Sequence, residues 1–394
     1  MARNKNGIKS MMSDPRRKIL YVHHSGNLGG APRSLSFLID KVDKEKYDVS
    51  LLCIANGPGL DVFKNMPINI ILNEKIFPFH GSTVSGMTLK LFLNNFVRIP
   101  QSFIQTIKVI KEVNPSLIHL NSSSLFIVAM AAKFLNIKIK TVCHIREPLL
   151  KYSISALLIK YFCYFFVDYF IAIDSYSGAS MKVRDNMKVI YNAVNFEQYN
   201  PLIKANLIRE ELNLPYNSVL FLYLARYSSS NGTKLLVKAA KKLTAKYPNF
   251  HFVLAGLKNN AKDRYTLDVV ESVKDNGQIH LLPFRSDVPQ LIASSDIMVV
   301  PFKEPHFARS IVEACAIAKP SIGANVGGVN ELIIDNKTGL LYNTLDELCT
   351  CCEKLGTDVE LRKKMGNEAR KIAVERFDNA VNSRRVFNIY DELI

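Results

Sequence analysis

The chain of 394 residues carries 51 Lys plus Arg against 35 Asp plus Glu, a net charge of +16, and 48% of its residues are apolar. That length suits two or three domains, each with its own core, and the apolar fraction excludes disorder as a description of the whole chain. The charge is uneven: residues 1–195 hold 25 basic and 12 acidic side chains, residues 196–394 hold 26 and 23, so the first half is expected to face something anionic.

Residues 1–17, MARNKNGIKSMMSDPRR, are basic and polar without an apolar core, which predicts a disordered tail and no secretory signal. KILYVHH (Lys18–His24) follows as a buried strand and leads into SGNLGGAPRSLSFLI (Ser25–Ile39). There glycines make a tight loop, Pro32 suits a first helical turn, and Leu35, Leu38 and Ile39 form an apolar face. Asp48–Ala55, Ser116–Asn121, Ile139–Ile145 and Tyr169–Asp174 repeat the strand pattern, with helical stretches at Lys90–Val113 and Leu125–Leu135 between them. Alternation of this kind predicts a parallel sheet covered on both faces.

Val189–Pro201, rich in Asn, reads as a connector. A second series then begins, with strands at Val219–Arg226, Phe250–Gly256, Ile279–Phe284, Asp296–Phe302 and Lys319–Asn325. Helices at Thr233–Lys246, Val288–Ser294 and Ile311–Ala318 alternate with them, and Asp346–Ile394 is mostly helical by periodicity. The expected organisation is a tail (1–17), an N-terminal domain (18–195), a C-terminal domain (196–375) and a last helix (376–394).

The seven cysteines are scattered, with no C-x2-C pair, and predict a reduced, cytoplasmic protein whose Cys349, Cys351 and Cys352 pack in a helix rather than bind zinc. Leu149–Val167 is unusually apolar and aromatic, but lysines and Asp168 interrupt it before the roughly 20 residues a bilayer span needs. Together with Thr88–Lys111 it suggests a monotopic surface for anionic lipid. No helix-turn-helix, zinc-finger or RNP-like pattern accompanies the charge, so no nucleic-acid partner is expected.

The densest chemistry lies in Phe302–Glu331, FKEPHFARSIVEACAIAKPSIGANVGGVNE. A strand ends, a loop carries Glu304 and His306, and a helix starts near Phe307–Ser310, where free N–H groups and the dipole suit phosphate. Glu313, one turn inside, suits ribose hydroxyls, and Gly327 and Gly328 form a second loop that a ligand can approach closely.

These segments, with GNLGGAPRSL (26–35), HIREP (144–148), DYFIAIDS (168–175), VIYNAVN (189–195), LARYSSSNG (224–232) and GGVNELIIDNKTGLLYN (327–343), resemble the family 4 glycosyltransferases in order over about residues 18–380. The resemblance implies the GT-B architecture, two Rossmann-like, doubly wound parallel-sheet domains facing across a cleft. It further implies retaining, metal-independent transfer from a nucleotide-sugar donor, with a lipid-linked or cell-envelope glycan, such as a polyprenyl-linked one, as acceptor. No D-x-D motif occurs, and neither an essential metal nor a cofactor is expected, the nucleotide sugar being a substrate.

By the same resemblance Glu304 contacts the donor sugar, Glu313 the ribose, Arg226 and the glycines Gly29 and Gly30 the diphosphate, and His144 the reacting centre. Phe307, Arg309, Ser310, Gly327 and Gly328 complete the donor site, and Arg146 and Glu147 line the cleft. Two departures stand out. Eight residues rather than the family's seven separate Glu304 from Glu313, with His306 the extra one, and the lysine five positions after Arg226 is here Asn231. Lys234 and Arg309 are the expected substitutes. A non-catalytic nucleotide- or glycan-binding relative, and a sugar-nucleotide epimerase of the same fold, are the alternatives these departures leave.

Overall fold

The computed structural model describes residues 16–27, 29–80, 89–149, 153–182, 185–204 and 207–394. Most of the expected tail, Leu28 of the glycine loop, Thr88 and Lys151 lie outside the described residues.

Two all-parallel sheets form the framework. The first contains β1 (Arg17–His23), β2 (Tyr47–Cys53), β3 (Asn69–Leu72), β4 (Leu117–Leu120), β5 (Lys140–Ile145), β6 (Tyr169–Ala172) and β7 (Met187–Val189), in the order β3-β2-β1-β4-β5-β6-β7. The second contains β8 (Val219–Leu224), β9 (Phe250–Leu257), β10 (Ile279–Pro283), β11 (Ile297–Val300), β12 (Ser321–Ala324) and β13 (Gly339–Tyr342), in the order β10-β9-β8-β11-β12-β13. Each order reverses beside its first strand, between β1 and β4 and between β8 and β11. At such points the loops leaving the strand C-termini part and open a crevice for ligand.

The central strands are largely apolar because helices cover both faces. Leu20, Val22, Ile118 and Leu120 pack on one side of the first sheet, Ile19, Tyr21, Leu51 and Leu117 on the other. Burying a side chain of this size contributes about 1.5–3 kcal/mol. The sequence pattern therefore located the central strands well. The expected helix Lys90–Val113 is instead two, Leu89–Val97 and Ile99–Val113, since Pro100 in the first turn of the second lacks the N–H that an uninterrupted helix would require.

The last helix, Asn379–Leu393, lies against the first sheet, with Val386, Ile389 and Tyr390 in the same core as Tyr21 and Leu35. The Tyr390 hydroxyl meets His119 Nδ1 on β4 at 2.6 Å. Val194 N–H donates to the Phe377 carbonyl at 2.9 Å where the chain crosses between the two sheets. Among the described residues no helix is long and apolar enough to cross a membrane.

Candidate active site

The loops at both reversal points face one another across a cavity of about 610 Å³. From the first domain it is lined by Gly30, Arg146, Glu147 and Asn192, and from the second by Arg226, Tyr227, Lys258, Glu304, His306, Phe307 and Arg309, among others.

In the second domain the loops after β8 and β11 are tied together, Lys303 and Glu304 N–H both donating to the Ser230 carbonyl, at 2.8 and 3.3 Å. The additional residue, His306, folds back within its own loop. Its ring stacks on Phe302 with centroids 4.0 Å apart, and its Nδ1 lies 2.9 Å from the Glu304 carbonyl oxygen. Burial holds its pKa below the usual histidine value, so the neutral ring suits this packing. The loop turns locally here, with both Glu304 and His306 lining the cavity. Gly328 supports the turn: it adopts φ +80°, and a Cβ there would sit 2.7 Å from the His306 carbonyl.

In the first domain Arg146 follows β5. Its Nε donates to Asn121 Oδ1 at 2.9 Å and its Nη1 to Asn192 Oδ1 at 2.6 Å, while Nη2 is shielded from solvent and has no hydrogen-bond partner among the described residues. Desolvation and the nearby Arg309 cation push the Arg146 guanidinium down to about 9. Arg309, at the start of helix Arg309–Ala316, reaches across the domain boundary to Ser34 Oγ at 2.8 Å and to the Ala193 carbonyl at 3.4 Å. Its side chain runs so close to Gly30 that a Cβ there would meet Arg309 Cδ at 2.9 Å.

Other expected site residues stand elsewhere. Lys234 is engaged away from the cavity: its ammonium pairs with Asp268 at 2.8 Å and lies over the Tyr265 ring. Asn231 faces the cavity but uses its side-chain amide to hold the Arg226 carbonyl at 2.8 Å. His144 lies behind Arg146 in a small recess, both ring nitrogens buried without hydrogen-bond partners among the described residues, and burial keeps it far below the usual histidine pKa. Glu313 is buried and directed at two guanidinium groups, Arg309 Nε at 3.4 Å and Arg33 Nη1 at 3.5 Å, at ion-pair rather than hydrogen-bond geometry.

Gly29, Ser310, Gly327 and Gly328 also do not line the cavity among its described residues. Gly29 precedes the helix Gly30–Asp40, Ser310 is buried in the first turn of its helix, and Gly327 backs onto the ring of Tyr176, where a Cβ would meet the ring at 2.3 Å. Tyr227, Lys258, Asp263 and Thr266 line the cavity without having been singled out by sequence. Lys258 and Asp263 come from the loop after β9 and Thr266 from the first turn of helix Arg264–Val273, beyond Gly256 at the end of the strand, which also lines the cavity.

Two family models match the chain in succession: Glycosyltransferase Family 4 over residues 28–198 and Glycosyl transferases group 1 over residues 204–372. This chain belongs to the family 4-like GT-B glycosyltransferases.

The UDP-Gal:alpha-D-GlcNAc-diphosphoundecaprenol alpha-1,3-galactosyltransferase of Escherichia coli is 23% identical to this glycosyltransferase, the match covering 96% of this chain and 97% of that one. The alpha-D-kanosaminyltransferase of Streptomyces kanamyceticus is 25% identical over 47% of this chain, which spans about half (48%) of that protein's length. Among solved structures, Anabaena Alr3699/HepE in complex with UDP and glucose superposes with a TM-score of 0.79 at 22% identity, covering 95% of this chain and all of that one. The glycosyltransferase thus shares its two-domain fold with GT-B glycosyltransferases.

Proposed function

We propose that this glycosyltransferase moves a sugar, with retention of anomeric configuration, from a nucleotide-sugar donor to a neutral glycan carried on a polyprenyl or other lipid. The observation that carries the reading is the cavity between the reversal points, where Arg146, Arg226 and Arg309 from both domains lie with Glu304. Cations from both domains suit a diphosphate, and the Glu304 carboxylate suits the hydroxyls of the attached sugar. The galactosyltransferase of Escherichia coli, named for a diphosphoundecaprenol-linked acceptor, supports the acceptor class.

In the proposed reaction the bond from the anomeric carbon to the β-phosphate oxygen breaks, and its electron pair stays on that oxygen. The acceptor hydroxyl attacks from the same face, and its proton passes to the departing phosphate. The arginines stabilise the charge gathering there, so neither a carboxylate nucleophile nor a metal ion is required.

The acceptor sugar is assigned to a neighbouring recess of about 270 Å³ in the first domain, which shares Glu147 and Pro148 with the main cavity. Its walls carry Ser25, Asn27, His80, Ser122 and Ser124 and no lysine or arginine among the described residues, which suits hydroxyl groups rather than phosphate. Ile159 reaches this recess from helix Ile154–Phe166, whose outer face exposes Ile154, Leu157, Tyr161, Tyr164 and Phe165. With the excess of basic residues in this half, that face suits peripheral contact with an anionic membrane from the cytoplasmic side.

A thermal-shift screen against UDP-, GDP- and ADP-sugars tests the donor reading, and stabilisation by none of them overturns it. Product anomeric configuration by NMR tests retention, and activity that survives EDTA is expected. Flotation with vesicles containing anionic lipid, abolished by Leu157→Asp with Tyr164→Glu, is the expected membrane result. A non-catalytic relative, which Asn231 in the lysine position favours, would bind donor without turning it over.

A further inference from the structure

Besides Lys258, the main cavity is lined by three arginines with different attachments. Arg226 is exposed on the loop after β8. Arg309 is occupied by Ser34, the Ala193 carbonyl and Glu313. Arg309 Nε is likewise buried without a hydrogen bond among the described residues but lies 3.4 Å from the Glu313 carboxylate, whereas the Asn121 and Asn192 side-chain oxygens fix the plane of the Arg146 guanidinium and leave its buried Nη2 without a hydrogen-bond partner among the described residues. The mount is itself braced, since Asn121 Nδ2 meets His23 Nδ1 at 3.0 Å and donates to the Ala31 carbonyl at 3.3 Å. Both asparagines offer neutral oxygens, so no carboxylate in this mount neutralises the cation.

Its surroundings add cations rather than anions. Arg309 lies close enough to repel it, and the neighbouring histidines His23, His24, His119 and His144 are held neutral by burial and by Arg146 itself. A desolvated guanidinium with an unused donor, facing a cavity shared with two other arginines, is an arrangement that an anion completes. On the opposite wall Asn231 is neutral and ties down its own loop, and Lys234 is paired with Asp268.

We infer that Arg146 binds the diphosphate of the nucleotide-sugar donor from across the cleft, supplying from the first domain the positive charge that positions 231 and 234 of the second do not bring to the cavity. This assignment rests on the nucleotide-sugar reading above. It makes Arg146 a donor ligand instead of a general cleft residue, and it makes diphosphate binding depend on both domains at once.

Calorimetric titration of the full chain with UDP, GDP and ADP, and with uridine, guanosine and adenosine, tests it. The wild-type protein is expected to bind one nucleoside diphosphate more tightly than its nucleoside. Arg146→Gln is expected to weaken that diphosphate by about ten- to a hundredfold, the loss of one charge-assisted contact, while leaving the nucleoside within about twofold. Arg146→Lys, which keeps the charge but not the fork and is the gentler change if the glutamine variant unfolds, is expected to fall between them. Asn231→Lys in the Arg146→Gln background is expected to recover part of the loss.

Equal binding of the diphosphate by wild type and both variants overturns the inference, and so does a parallel loss of diphosphate and nucleoside binding. Failure of wild type to bind any of the three diphosphates or nucleosides instead overturns the donor reading itself.

Discussion

Glu313→Gln separates two roles that coincide in one side chain. The carboxylate is buried between Arg33 of the first domain and Arg309 of its own helix, at 3.5 and 3.4 Å, and it is also the residue expected from sequence to contact the ribose. Removing a charge from a fully buried pair costs about 3–5 kcal/mol. Here the penalty is smaller, because Arg309 retains Ser34 and the Ala193 carbonyl, and the Arg33 side chain is 37% exposed and can be hydrated. A loss of about 1–3 kcal/mol is expected, or roughly 2–10 °C in melting temperature for domains of this size. The thermal shift produced by the best nucleotide sugar should also shrink, because an amide accepts hydrogen bonds from the ribose hydroxyls less strongly than a carboxylate. A variant that melts with the wild type shows that the two ion pairs contribute nothing. A variant that melts early yet keeps the full ligand-induced shift removes Glu313 from the donor site and leaves it as a strut between domains.

Glu331→Ala should loosen another contact between domains: its carboxylate accepts the Ser175 and Tyr176 N–H groups at 2.9 and 3.0 Å at the start of helix Ser175–Met181. A loss of about 1–2 kcal/mol is expected, with faster hydrogen exchange at those two amides, and unchanged exchange would refute the capping role. Gly328→Ala places a Cβ against the His306 carbonyl at positive φ, so it should cost about 1–3 kcal/mol and weaken donor binding by displacing the Glu304 loop; wild-type donor affinity in that variant would detach the loop from the site. Acidification should destabilise the fold, since burial first, and Arg146 in addition, lowers His23 and His119 to about 3 and His24 to about 4. The unfolded chain binds these protons near pH 6.5 and the folded one does not, so stability is complete above pH 6.5 and falls as pH drops toward 4, by up to about 1.4 kcal/mol per pH unit for each group. His24→Asn should flatten that slope in melting experiments across pH 4–7, and an unchanged slope would show that His24 is protonated in the folded state.

The central strands were readable because a strand buried on both faces is mostly apolar, even where it carries a buried His119 as β4 does. Short edge strands carry no such mark: all four residues of β3 are partly or largely exposed, and β7 has only three residues, so neither stands out from a loop. Glu304, Phe307, Arg309 and Arg226 were legible because each sits at a strand end or helix start, where short-range pattern fixes position. What holds Arg146 was not, since Asn121 and Asn192 come from the ends of other strands, 25 and 46 residues away in sequence. The same holds for Lys234, whose pairing with Asp268 on another helix depends on packing alone.

The place of helix Asn379–Leu393 against the first sheet has a consequence for how the protein is made. A ribosome delivers β1 some 360 residues before it delivers Val386, Ile389 and Tyr390, which complete the core around Tyr21 and Leu35. Throughout that interval the flank of the first sheet packed by Leu35, Leu38 and Ile39 lacks its last helix, while the second sheet is synthesised and can close in full. The half of the molecule that is translated first is therefore the half that finishes folding last.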